Sequence, residues 1–132
     1  MAYGRLAAIG KGTVTNGNTD NETVLQTVDN IVCFCGNIYN VTRNSGQNFF
    51  TLPSTIANPS ERIYFPAIYI ENSQYLIGVF YLSTNGNVGT RTTINNATVC
   101  LQGLAIHLNK IYYNNTIGNN DESLMTSPIN IN

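Results

Sequence analysis

The fold of this chain is decided by residues 49–88, whose sequence is FFTLPSTIANPSERIYFPAIYIENSQYLIGVFYLSTNGNV. A proline-containing loop leads into two long apolar segments, residues 63–70 and 75–82, and the polar tetrapeptide 71–74 separates them. Segments rich in Ile, Tyr, Phe and Val on either side of a short polar loop predict a β-hairpin. The pair Asn85-Gly86 follows and predicts a type I′ turn, because that turn needs positive φ at both central residues. The stretch therefore predicts antiparallel β structure.

Both strands of this predicted hairpin carry apolar side chains on both of their faces. A strand that is apolar on one face only has a single buried side, whereas a strand that is apolar on both faces is expected to be covered twice. One face is expected to pack in the core of the domain. The other is expected to pack against a second partner, for which a neighbouring protomer is a candidate.

The rest of the chain predicts a series of short strands with turn residues between them. Further strands are expected over residues 23–28, 31–35, 38–42, 48–52, 88–94, 97–101 and 105–113. About ten short strands with turns at this spacing are typical of an all-β protein with an antiparallel β-sandwich or jelly-roll-like fold. A chain of 132 residues predicts one domain over 1–132, with residues 119–132 as a loose C-terminal tail.

The composition supports this fold class and favours self-association. The chain is 42% hydrophobic and 10% charged, against roughly 25% charged residues in an average domain. Its polar surface is expected to come from 21 asparagines and 15 threonines, which suit turns and strands respectively. Few charges remain to protect sheet edges, so a homo-oligomer with closed symmetry is favoured. The alternative is a monomer from an organism with asparagine-rich coding bias.

Charge and hydropathy argue against several partners. The net charge is -1 and the six basic residues are scattered, whereas nucleic-acid binding needs a basic stripe. No segment approaches the roughly 20 consecutive apolar residues of a membrane span, so membrane insertion is not expected. The N-terminus, MAYGRLAAIGKG, lacks the apolar core of a secretion signal.

The three cysteines are expected to be reduced and buried. Cys33 and Cys35 are two residues apart on one predicted strand, and such pairs rarely have the geometry of a disulfide. Cys100 could bridge one of them, which would leave an odd thiol. A zinc site needs about four ligands, and this chain offers one histidine and a single C-x-C, so no metal is expected.

No arrangement of residues identifies a reaction, and neither catalytic residues nor a cofactor are expected. The chain has no G-x-S-x-G nucleophile motif. Glu61 and Glu71 lie at opposite ends of one predicted strand, about 30 Å apart, which is too far for a glycosidase pair. The sequence therefore favours a non-enzymatic protein.

Aromatic and basic residues supply the candidate ligand-binding site. Tyrosine offers an apolar ring and a hydroxyl, which suits saccharide binding or a protein interface, although many of the eight tyrosines are expected simply to pack the core. His107 alternates with Ile106 and Leu108, so it is expected on the opposite face, either in a ligand groove or in an ordinary surface contact. On residue chemistry alone the candidates are Arg62, Tyr64, His107 and Tyr113.

Several motifs resemble the C-terminal head domains of phage tail-fibre and baseplate receptor-binding proteins, particularly those of phages with Gram-positive hosts. The similarity covers roughly residues 24–108, as a pattern rather than as an identity. The motifs are Leu52-Pro53, Ile63-Tyr64-Phe65-Pro66, Gly78 within LIGVFYL and Asn85-Gly86-Asn87-Val88, with similar segments at Asp29-Asn30-Ile31-Val32-Cys33 and Ala97-Thr98-Val99.

The resemblance implies a β-sandwich head that assembles as a homotrimer, binds saccharide on the host cell surface and contacts other tail or baseplate proteins. It also implies a location at the tail tip of the virion, after assembly in the host cytoplasm. It assigns no site residue. No neck, heptad shaft or β-helix repeat precedes the motifs, so the chain is expected to be a distal domain. The alternative is a structural virion or appendage protein without its own ligand.

Overall fold

The structure, a computed structural model, describes residues 5–108, and these form twelve β-strands in two antiparallel sheets. The strands are β1 (Leu6–Lys11), β2 (Thr13–Val14), β3 (Asn18–Thr19), β4 (Thr23–Thr27), β5 (Ile31–Phe34), β6 (Ile38–Arg43), β7 (Gln47–Thr51), β8 (Ile63–Glu71), β9 (Gln74–Leu82), β10 (Asn87–Thr90), β11 (Ile94–Val99) and β12 (Ala105–His107). The predicted all-β, antiparallel sandwich class is confirmed. Residues 5–108 contain no helix, and thus none that is long and apolar enough to cross a membrane.

The two sheets differ in size and share a common core. The small sheet has the order β1-β4-β5-β12, and the large sheet has the order β2-β7-β10-β9-β8-β11-β6-β3. Phe80 lies near the centre of the core, where its ring packs against the rings of Phe49, Phe65 and Tyr69. Phe34 of the small sheet meets Phe50 of the large sheet edge-on, with ring centroids 5.7 Å apart. These aromatic contacts join the two layers.

Gly12 lets one length of chain belong to both sheets. It separates β1, which pairs with β4 in the small sheet, from β2, which pairs with β7 in the large sheet. Its N–H donates to the Glu22 carbonyl over 2.8 Å. A Cβ at this position would overlap the ring of Phe50, so only glycine allows the chain to turn here so close to the core.

The hairpin predicted between residues 63 and 82 is present and longer than expected. β8 and β9 pair over nine residues each, from Ile63–Leu82 to Glu71–Gln74. The loop contains two residues, Asn72 and Ser73, with φ of 51° and 62°. Positive φ at both positions is the signature of a type I′ turn, whose twist matches that of the strands it joins.

The type I′ turn predicted at Asn85-Gly86 is wrong. The loop between β9 and β10 has four residues, 83–86, and only Gly86 has a positive φ, of 88°. The Gly86 N–H donates to the Ser83 carbonyl, and the Ser83 N–H donates to the Asn87 carbonyl. This is a type I turn over Thr84 and Asn85 followed by a glycine in the left-handed region, the second common way of closing a hairpin.

Two further strand predictions need correction. The break was expected at Asn95-Asn96, but β11 runs through both residues and absorbs them in a bulge, where Asn96 has a φ of 48°. The break falls instead at Arg91–Thr93, where the Thr92 N–H donates to the Thr90 side-chain oxygen and ends β10. The predictions for the strand beyond His107, for Tyr113 and for the tail 119–132 lie wholly or partly outside the described residues.

Candidate functional site

The outer side of the β8–β9 hairpin is the most distinctive surface of the described residues. Side chains of the two strands alternate between the core and the outside, as the pleat requires. Ile77 and Tyr75, at 78% and 75% exposure, lead the outward set. We use the name hairpin face for the outward, exposed side chains of Tyr64, Pro66, Ile68, Tyr75, Ile77 and Val79. The hairpin face contains no charged side chain.

The prediction that both faces of this hairpin are covered is met on one side only. Phe65, Ala67, Tyr69, Phe80 and Leu82 are buried in the core. Within residues 5–108, nothing covers the hairpin face. The sequence pattern therefore identifies both apolar faces, and the structure shows which of them the domain itself covers.

A groove borders the hairpin face where β11 leaves β8. The Cys100 N–H donates to the Ile68 carbonyl over 2.9 Å, and this bond is the last one between the two segments of chain. Pro66, two residues earlier on β8, lies beyond the end of β11 and has no ladder hydrogen bond to donate there. A proline in the middle of a long strand is tolerated at such a place, because the strand is locally an edge.

The resulting groove has a volume of about 340 Å³ and is mainly apolar. Residues from β8, β9 and the 100–104 loop line it: Pro66, Ala67, Ile68, Ile77, Cys100, Gln102, Gly103 and Leu104. Three members of the hairpin face, Pro66, Ile68 and Ile77, line the groove. The face and the groove are therefore one continuous surface.

One end of the hairpin face is closed by a stack of polar and aromatic groups. Tyr81 points outward, yet it is buried because its ring lies over Gly89 and under the guanidinium of Arg62. The Arg62 carbon is 4.1 Å from the centre of the ring, a favourable cation–π distance. The Tyr81 hydroxyl donates to Asn48 Oδ1 over 2.6 Å. Burial raises the pKa of Tyr81, and the nearby positive charges of Arg62 and Arg91 offset this in part.

Two of the four predicted site residues lie together at this end. Tyr64 is opposite Tyr81 across the hairpin and is 57% exposed, so its ring is available to a ligand. Arg62 contacts the Tyr81 ring, and it also lines a smaller pocket of about 200 Å³ with Ser60, Glu61, Ile63 and Leu108. The arrangement offers an aromatic ring beside a cation at the rim of an apolar surface.

The other two predicted residues are not part of this arrangement. His107 is exposed on β12, opposite Ile31, and faces away from the buried Ile106 and Leu108, as its alternation predicts. It belongs to the outer side of the small sheet, whereas Arg62 and Tyr64 belong to the large sheet. Tyr113 lies outside the described residues.

The three cysteines are unbridged and only half-buried, so the expectation of full burial is wrong. Cys33 lies opposite Leu25 and Ala105 on the outer side of the small sheet, and Cys100 lines the groove. Burial raises the pKa of both thiols, and the neighbouring Cys35 adds to the effect at Cys33. Both thiols are therefore protonated near neutral pH, and a thiol is a weaker nucleophile than a thiolate.

Sequence reasoning did not identify Tyr75, Ile77 and Val79 as surface residues. The available signal was the alternation along β9, since Gly78 and Phe80 on either side of Val79 belong to the core-facing set. Which of the two sets faces outward depends on the register with β8 and on the position of the small sheet. Neither is encoded within the strand itself.

Comparison with known proteins identifies no relative of this chain. No protein-family model, curated protein or solved structure matches the chain. Within residues 5–108, no group of three or more His, Cys, Asp or Glu side chains is placed to hold a metal ion. The chemistry of the hairpin face and its rim is therefore the structural basis for a functional proposal.

Proposed function

We propose that this chain is the non-enzymatic receptor-binding head of a phage tail fibre or baseplate, which assembles as a homotrimer and recognises saccharide on the host cell surface. The observation that carries the proposal is the exposed, uncharged hairpin face. Apolar patches of this kind on a folded domain mark contacts with other proteins or ligands. The motif resemblance over residues 24–108 supplies the class of protein in which such a domain would work.

The motifs behind the resemblance have identifiable physical roles in this fold. Pro66 lies where β8 becomes an edge, and it lines the groove. Gly78 lies under the ring of Tyr69, where a Cβ would come within 3.0 Å of two ring carbons. Gly86 supplies the positive φ that closes the β9–β10 loop. These residues shape the β8–β9 hairpin and the loop that follows it, and Pro66 also lies on the surface that residues 5–108 leave exposed.

The rim of the hairpin face is the best candidate for saccharide contact among the described residues. The exposed ring of Tyr64 provides a flat apolar surface against which a sugar ring packs. The guanidinium of Arg62, which lies over the neighbouring Tyr81 ring, carries planar N–H donors that suit the hydroxyl groups of a sugar. His107, on the small sheet, is an alternative contact on a separate surface.

Binding to host material tests this proposal. Fluorescently labelled protein is expected to bind intact Gram-positive host cells and their isolated cell-wall polysaccharide, and free polysaccharide is expected to compete. Tyr64→Ala is expected to weaken binding by about tenfold, since loss of one aromatic contact costs roughly 1–2 kcal/mol. The control is Val28→Ala, an exposed apolar residue in the β4–β5 turn, which should bind like the wild type.

The remaining outcomes discriminate between the candidates. A loss of binding in His107→Ala, with Tyr64→Ala unaffected, would move the saccharide site to the small sheet. An assembled protein that binds no host cell and no cell-wall polysaccharide would contradict the receptor-binding proposal. That result would favour the second candidate, a structural virion or appendage protein, for which the hairpin face as an assembly surface is sufficient.

A further inference from the structure

We infer that the hairpin face from Pro66 to the turn end, with Tyr64 left free at the rim, is the surface through which copies of this chain contact one another, with a second copy of the chain as its occupant. The inference rests on the proposed function, because it names the contact that holds the proposed oligomer together. It is carried by three properties of the surface: its lack of charge, its area and its shape.

The absence of charge favours a like partner. Asp, Glu, Lys and Arg are missing from the hairpin face; Arg62, at its Tyr64 end, is turned onto the Tyr81 ring, and Arg91 adjoins Val79 through a backbone hydrogen bond. A basic, acidic or phosphate-bearing partner would find no complementary charge here. A second hairpin face is apolar and uncharged in the same way. The surface is therefore complementary in chemistry to itself.

The area is close to what a specific contact requires. With roughly 150–250 Å² for an aromatic side chain, the exposed fractions of the hairpin face amount to about 600 Å². This lies at the upper end of the largest apolar patches on monomeric proteins, roughly 300–600 Å². A standard interface buries about 800 Å² on each partner, with roughly 600 Å² at the low end, so the face and the lip of the adjoining groove together reach the low end of that range.

The shape provides both a projection and a recess. Tyr75 is 75% exposed and projects near the turn end of the hairpin, opposite Ile70. The groove, about 340 Å³ in volume, begins at Ile68 and Ile77, the next cross-strand pair on the same face. A Tyr75 ring from a second copy fits a recess of this size, and an aromatic side chain in an apolar pocket is a typical interface anchor.

Sedimentation of the full chain, with a matched pair of variants, tests the inference. The pair is Ile77→Asp, in the middle of the hairpin face, and Ile9→Asp, at an isoleucine of β1 that is 55% exposed on the small sheet. The wild type and Ile9→Asp are expected to sediment as oligomers of the 14.5 kDa protomer. Ile77→Asp is expected to weaken association by at least about tenfold, because it would bury an unpaired carboxylate. Tyr75→Ala, which adds no charge, is expected to weaken association in the same direction.

Thermal unfolding of each variant separates association from folding, because both isoleucines are exposed in the single chain. An assembled Ile77→Asp protein, or dissociation caused by Ile9→Asp instead, would overturn the inference. A wild type that stays monomeric at high concentration would also overturn it. If Ile77→Asp then destabilised that monomer more than Ile9→Asp, the occupant would be the chain's own residues 109–132.

The outcome is separable from that of the receptor-binding proposal. If the protein binds host cells and the Ile77→Asp variant still assembles, only the inference about the hairpin face is contradicted. Assembly that is lost in Ile77→Asp, in a protein that binds no host material, would support the inference and contradict the receptor function.

Discussion

Tyr81 points to the same side of its strand as Tyr75 and Ile77, yet it is 1% exposed while they are open to solvent. The difference comes from its neighbours. Gly89, its cross-strand partner on β10, has no side chain, so the tyrosine ring lies flat across the sheet there. Asn48 accepts the hydrogen bond of the hydroxyl, and Arg62 covers the other side of the ring. A residue of the outer face thereby becomes part of a second, small core.

The raised pKa of Tyr81 predicts that the protein loses stability at alkaline pH, and that deprotonation of the Tyr81 hydroxyl accounts for part of this loss. The folded state holds the proton more tightly than the unfolded state, whose pKa is near 10.0. The stability that this group contributes is therefore complete below about pH 10 and falls as the pH rises through the folded pKa. Tyr81→Phe is expected to be about 1 kcal/mol less stable than the wild type near neutral pH, because it lacks the hydrogen bond to Asn48.

The difference in free energy of unfolding between the wild type and Tyr81→Phe should shrink above pH 10, because phenylalanine has no proton to lose. Urea unfolding at about pH 7 and about pH 11 measures it. Cys33 and Cys100 titrate in both proteins and cancel in the comparison. A stability difference that stays constant over this pH range would contradict the assignment.

Residue chemistry made Tyr64 a candidate for ligand contact, but it did not predict that Arg62 covers Tyr81. The contact joins residues 19 positions apart, and it depends on the register of β8 and β9. Side-chain type limits what a residue is able to do. The cross-strand neighbour decides which of those roles it has.

At the scale of the element, the β8–β9 hairpin is held by a turn whose residue types are not optimal. A type I′ turn favours glycine at its second position, where this chain has Ser73 with a φ of 62°. The left-handed backbone conformation costs conformational free energy at Ser73, whereas glycine adopts it without this cost.

Ser73→Gly is therefore expected to stabilise the protein, by about 0.5 kcal/mol after the larger backbone entropy of glycine in the unfolded chain is subtracted. The matched control is Thr84→Gly in the next loop, a position without positive φ, where the same change is expected to destabilise. Urea midpoints of the two variants check the signs. Stabilisation by Thr84→Gly alone would contradict the turn assignments.

The long hairpin was predictable from its sequence because its two apolar segments predict strands and the polar tetrapeptide between them predicts the loop. The strands β1, β2 and β3 were not predicted, since Leu6–Lys11, Thr13–Val14 and Asn18–Thr19 are short, contain small or polar residues and show no strong alternation. They form strands because β4, β7 and β6 offer edges to which they bind. Tertiary pairing decides the structure of such segments more than local propensity does.

At the scale of the whole molecule, the apolar surface and the scarcity of charge are two aspects of one property. Because only 10% of the residues are charged, few charged side chains are available for the outward positions of a long hairpin. The outward face of the hairpin is therefore apolar. The sequence predicted this surplus of apolar surface. It could not predict the groove, because the groove arises where β11 leaves β8, a feature of the assembled sheet.

Association through an uncharged surface has a predictable response to salt. The oligomer is expected to change its association constant by less than about twofold as sodium chloride rises from roughly 0.05 to 0.5 M, because no ion pair lies at the contact to be screened. Sodium sulfate, which strengthens apolar burial, is expected to tighten association. Sedimentation equilibrium in the two salts measures this. A steep fall in association with sodium chloride would indicate that charged residues outside the hairpin face hold the copies together.

The passage of the chain through Gly12 has a consequence for how the molecule comes apart. Since β1 and β2 are one continuous length of chain, one edge of the small sheet and one edge of the large sheet are tied to each other. Detachment of β1 from the small sheet therefore pulls on β2 in the large sheet, and the reverse. Unfolding is therefore expected to be a single cooperative event, in which the two layers lose their order together.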